Sequence, residues 1–81
     1  MATHELKIHP ELFAEILLGN KTAEIRKDDR GFQLGDTLII YPYDPECNER
    51  IGNDDCYRKV THIVRGGQFG IEPGYVLLSM K

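Results

Sequence analysis

Residues 10–27 read PELFAEILLGNKTAEIRK, and a change of period inside this stretch decides the fold. Up to Gly19 the apolar side chains recur at helical spacing. Leu12, Phe13, Ile16 and Leu17 fall on one stripe, with Glu11 and Glu15 off it. Pro10 suits a first helical position, where its missing N–H is no loss, and Gly19 suits a left-handed stop. His9 is a poor N-cap, so the end of this helix is better marked than its start. From Thr22 to Lys27 the period drops to two: Thr22, Glu24 and Arg26 share one face, Ala23 and Ile25 the other. A helix over Pro10–Leu18 therefore runs almost directly into a strand.

The flanking segments are extended. His4 to Ile8 alternates, with Leu6 and Ile8 apolar, and reads as an opening strand. Thr37 to Tyr41 is a nearly continuous β-prone run, expected for a central strand buried on both faces and ended by Pro42 and Pro45. Glu46 to Asp55 is a polar excursion. Cys56 to Val64 returns as a strand whose two faces are not cleanly distinguished. Arg65 to Gly74 is a glycine-rich loop, and Tyr75 to Met80 closes the chain. The order β-α-β-β-β-β implies a mainly β fold: a small barrel or rolled sheet of about five strands with the helix across it. Length points to one domain over residues 1–81.

Composition narrows the function. With 41% hydrophobic and 28% charged residues, the chain is that of a folded domain rather than a tail. No run approaches the ~18 apolar residues of a membrane span. Met1 to Lys7 is charged and lacks a signal-peptide segment, so a soluble, cytoplasmic protein is expected, with no membrane partner. The net charge of −3 excludes duplex binding driven by overall charge. Cys47 and Cys56 are too few for a disulfide scaffold. With His4, His9 and His62 they lack the paired spacing of a structural metal site, so no metal or cofactor is expected.

The densest chemistry lies at Lys21-Thr22-Ala23-Glu24-Ile25-Arg26. Glu24 and Arg26 stand about 7 Å apart on one strand face, and Lys21 at the strand mouth can swing over it. A carboxylate between two cations suits a ligand that offers a base edge or carbonyl together with a phosphate. The plain alternative is a strand-surface ion pair contributing only ~0.2–1 kcal/mol.

The pattern Gly19-x-Lys21-x-x-Glu24-x-Arg26 behind an apolar helix resembles the signature of ASCH domains, members of the PUA-like superfamily. With Phe32-Gln33-Leu34-Gly35-Asp36, Gly66-Gly67-x-Phe69-Gly70 and Gly74-Tyr75-Val76, it is similar to the bacterial and phage family called domain of unknown function 3850. The resemblance runs from His4 to Lys81. It implies a PUA-like β-barrel that binds RNA or a nucleotide. One ASCH-like branch deacetylates acetylcytidine, using a threonine that falls where this chain has Glu24, beside a lysine matching Lys21. Thr22 cannot take that threonine's place without moving its hydroxyl by about 7 Å. The chain is therefore read as a binding module; were it an enzyme, Lys21 and Glu24 would carry the chemistry.

Tyr41 and Tyr43, alternating beside a proline turn, and Phe69 at a glycine loop tip are candidates for stacking on a base. The expected ligand set is Lys21, Thr22, Glu24, Arg26, Tyr41, Tyr43 and Phe69. The expected partner is a nucleotide or single-stranded RNA, with duplex DNA disfavoured. A compact acidic chain equally suits a third class, a phage or bacterial protein-interaction domain.

Overall fold

A computed structural model describes all 81 residues. The elements are β1 (Thr3–Ile8), α1 (Pro10–Leu17), β2 (Ala23–Lys27), β3 (Thr37–Asp44), β4 (Glu49–Arg50), β5 (Cys56–Arg65) and β6 (Tyr75–Met80). They make one sheet in the order β1-β3-β5-β6-β2, with β4 pairing off β3. The chain is mainly β with a single helix. The sixth strand is the two-residue β4, inside the segment expected to be a polar excursion.

The ladder does not close into the expected barrel. β1 runs parallel to β3, and β1 and β2 are the two end strands. Arginine side chains span the gap: Arg26 Nη1 of β2 donates to Lys7 O at 3.1 Å, and Arg30 Nη1, in the turn after β2, donates to Glu5 O. A backbone ladder would need strands about 4.8 Å apart. A guanidinium on its long stem reaches across a wider seam.

Two strands depart from expectation for clear local reasons. β3 continues through Pro42 to Asp44. Its ladder to β5 ends at Ile40↔Cys56 and its ladder to β4 starts at Tyr43↔Arg50, so Pro42 sits at the changeover, where its missing N–H is not required. β3 is also buried on one face only: Leu38, Ile40 and Pro42 are buried, while Thr37, Ile39, Tyr41 and Tyr43 are half-buried. β5 has a register shift between Val60 and His62. Before it Cys56 and Val60 face the core; after it Ile63 does. A bulge shifts the inward parity by one residue, which is why the faces of this strand cannot be read from its sequence.

The core joins Leu6 and Ile8 of β1, Leu38 and Ile40 of β3, and Val76, Leu78 and Met80 of β6, capped by Phe13 and Ile16 of α1 and by Phe32. Of the four apolar residues on the helical stripe, Leu12 and Leu17 remain exposed. An eight-residue helix crossing the end of a small sheet covers less than its full stripe. Cys56 lies in the core, where burial pushes its thiol pKa up; Cys47 is exposed, and both are free thiols.

Asp36 is the one buried charged residue. Its Oδ1 accepts from Ala2 N at 2.9 Å, and its Oδ2 accepts from Gln33 N at 3.0 Å and lies 2.8 Å from His4 Nε2. The Ala2 N–H foremost, then the His4 ring and the Gln33 N–H, hold its carboxyl down to about 2 against the opposing effect of burial. The next residue, Thr37, donates its N–H to Ala2 O, so the carboxylate sets where β1 meets β3.

Phe13→Ala should destabilise the domain by ~3–5 kcal/mol in denaturant unfolding, whereas Leu17→Ala on the exposed side should change stability by less than ~0.5 kcal/mol. Equal effects would show that the helix packs otherwise. Because the folded pKa of Asp36 lies below its ordinary 3.8, its contribution is fully present above that value and is lost as pH falls through about 2. The contribution is on the order of 2 kcal/mol. Thermal melts from pH ~5 down to ~2 should fall more steeply for the wild type than for Asp36→Asn. Parallel slopes would remove Asp36 from this role.

Candidate functional site

The site begins at the end of α1. Gly19 takes φ +81 after Leu18. Gly19 N donates to Ile16 O and Asn20 N to Glu15 O, each at 3.0 Å, which is a Schellman stop. The chain reverses there and delivers Lys21 to the mouth of β2.

β2 then turns its charged face inward. It pairs antiparallel with β6 in a register that sets Glu24 opposite Leu78 and Arg26 opposite Val76. Directly opposed residues share a face, and Leu78 and Val76 are fully buried, so Glu24 and Arg26 project toward the core side. Ile25 points outward and is 58% exposed. The apolar residue is outside and the ionic ones inside, the reverse of a solvated strand.

The Glu24 side chain is only 13% exposed. Lys21 Nζ lies 3.2 Å from its Oε1 and Arg26 Nη1 lies 3.6 Å from its Oε2. Lys21 Nζ also donates to Ala23 O at 2.6 Å, and Arg26 Nη1 to Lys7 O across the seam. Each carboxylate oxygen therefore faces one cation, and each cation is also held by a backbone carbonyl. The group can exchange either carbonyl contact for a ligand acceptor, and it can offer the carboxylate to a donor.

The remaining expected residues lie apart from this group. Thr22 is exposed and lines a shallow depression of about 400 Å³ with Ala23, Thr61, Ser79, Met80 and Lys81. Tyr41 and Tyr43 stand on the outer face of β3, where Arg50 lies 4.7 Å over the Tyr41 ring. The Tyr43 ring meets His9 edge-on at 5.7 Å, with Lys7 Nζ at 5.1 Å. Both tyrosines are thus turned away from Glu24. Phe69 is 85% exposed, at the tip of the loop between β5 and β6. Its φ is +54 and that of Gly70 is +77, inside a turn closed by the Gln68↔Ile71 bridge. A bulky residue in left-handed backbone costs ~1 kcal/mol or more, and here no burial offsets it.

Close backbone approach explains part of that loop. A Cβ on Gly66 would collide with the carbonyls of Glu72 and Tyr75, so its glycine is structural. Sequence reasoning missed the seam contacts, since the accepting groups are the backbone carbonyls of Glu5 and Lys7, which no side chain announces. It also missed Asp28, which receives Phe32 N at 3.1 Å and Arg65 Nη1 at 3.0 Å, tying the turn after β2 to β5.

Residues 3–80 match the protein family described as Domain of unknown function (DUF3850). The chain belongs to this family. A 40-residue part of this DUF3850 domain is 48% identical to the "Uncharacterized 12.9 kDa protein in GpA 3'region" of Escherichia phage P2. The aligned part is 49% of the domain and only 37% of the phage protein's length. In the DUF3850 domain described here, no helix is long and apolar enough to cross a membrane.

The network at the seam makes a stability prediction. Arg26→Ala removes both the Glu24 contact and the bridge to Lys7 O, so it should cost about 1–3 kcal/mol. Lys27→Ala, exposed and unpaired one residue on, should cost less than ~0.5 kcal/mol. Urea unfolding of both variants checks this, and a neutral Arg26→Ala would show the seam to be loose.

Proposed function

We propose that this chain is an ASCH/PUA-like module, acting in the cytoplasm, that binds a nucleotide or single-stranded RNA at the Lys21–Glu24–Arg26 group. One observation carries the reading. The sheet stops short of closing, and where a closed barrel would place apolar side chains, β2 presents a carboxylate between two cations. Ionic groups on a core-side face cost desolvation that apolar residues would not, so their placement favours a ligand over stability. The cations would take a phosphate, and Glu24 would accept from a base amino group. With net charge −3, few phosphates can be neutralised, and duplex DNA, which offers no splayed base, should bind weakly.

A second reading has its own support. The Arg26 bond to Lys7 O makes the group a latch between the end strands. The two readings separate in a titration with mononucleotides, modified nucleosides and short RNAs, followed by amide shifts. Binding should move the amides of Lys21 to Arg26, and the isosteric Glu24→Gln should weaken it at least tenfold, ~1.4 kcal/mol, while keeping the fold. Unmoved amides across the panel would leave only the latch. Acetate release from acetylcytidine that disappears in Glu24→Gln would instead assign a hydrolase.

A further inference from the structure

The outer face of the sheet carries cations that no ion pair explains. Of ten Lys and Arg residues, Lys21, Arg26, Arg30, Arg50 and Arg65 meet carboxylates. Two of the other five, Lys59 and Lys81, stand on that face and line, with Thr37, Tyr57 and Arg58, one depression of about 260 Å³. Lys59 and Lys81 exchange backbone hydrogen bonds at 3.0 Å in both directions, so they stand directly opposite each other with side chains on one face. Like charges in that position repel, and an anion between them relieves the repulsion. Arg58 stands opposite the buried Leu38, on the core side, and donates to Tyr57 O at 2.8 Å and to Ile16 O of the helix at 3.2 Å.

This depression adjoins the second one through Lys81, which lines both. The second is lined by Thr22, Thr61 and Ser79 among others, and no carboxylate side chain lines either. The joined surface crosses the sheet from β3 over β5 and β6 to β2, longer than a single phosphate requires. Tyr57 lies on the first depression, and the residue is 62% exposed.

We propose that this surface is a track for single-stranded nucleic acid, with Lys59 and Lys81 on its phosphodiesters and Tyr57 stacking on a base. The proposal rests on the function proposed above for its class of ligand; none of Lys21, Glu24 and Arg26 lines this surface. Two phosphate contacts give a slope of log affinity against log salt of roughly −1.4. Aromatic stacking adds affinity that salt does not screen.

Fluorescence anisotropy with a uridine oligonucleotide, its deoxy counterpart and competing inorganic pyrophosphate tests it, using four chains of matched melting temperature: wild type, Lys59→Ala/Lys81→Ala, Tyr57→Ala and Glu24→Gln. The double lysine variant should bind the oligonucleotide at least tenfold more weakly, with the salt slope reduced by about 1.4. Tyr57→Ala should weaken binding about tenfold with the slope unchanged. Oligonucleotide binding that survives both changes but is lost in Glu24→Gln overturns the track and leaves the seam reading standing. Loss in the track variants alone upholds the track. Pyrophosphate binding as tight as the oligonucleotide, with Tyr57→Ala silent, shows a free-phosphate site and overturns the strand. A wild type that binds no oligonucleotide overturns the track, and if it also binds no nucleotide the seam reading falls with it.

Discussion

The rest of the fold depends on where the Asp36 carboxylate holds the first strand. A parallel strand pair has no hairpin to set its register, so β1 must be aligned by contacts at its start. Asp36 provides them from the first residue before β3, through Ala2 N and His4, while its own backbone joins the turn to Gln33 and the ladder to Val60. The carboxylate stays ionised because three donors satisfy it in a site nearly closed to water. Moving β1 by one residue would turn Leu6 and Ile8 out of the core. It would also carry the carbonyls of Glu5 and Lys7 away from the arginines that reach them.

Those carbonyls explain how the sheet ends. An open edge strand invites pairing with another chain. Here β1 is covered by the guanidinium groups of Arg26 and Arg30, which occupy acceptors that another strand would seek. Arg26 does so while also facing Glu24, so one side chain couples the seam to the ionic group. A ligand engaging Arg26, as proposed, would compete with this bridge.

The polarity of β2 is the inverse of what its position in a small sheet would favour. Glu24 and Arg26 take the side of Val76 and Leu78, and Ile25 takes the solvent side. On the outer face, the facing Lys59 and Lys81 repeat the pattern in another form, with repulsion left standing in the free protein. Both features lower stability in a chain of 81 residues, where each kcal/mol is a sizeable fraction of the total. Phe69, exposed and in left-handed backbone, is a third such departure. Local costs without a local return are expected where surfaces meet partners.

The sequence alone determined the class of the fold, the helix stop at Gly19 and the two faces of β2, because capping chemistry and the periods of helix and strand are local properties. It also drew together Lys21, Glu24 and Arg26, which lie within six residues on one strand and its mouth. It could not say which face of β2 meets the core, since that depends on pairing with β6, about fifty residues away. Nor could it place Tyr41 and Tyr43, whose strand turns them to the other side of the sheet from Glu24. The bulge in β5, the passage of β3 through Pro42 and the seam carbonyls are likewise set by which strand lies alongside. The convergence of Lys59 and Lys81 is of the same kind: neither lysine carries any mark in the chain, and only the ladder that makes them opposite gives them a shared charge.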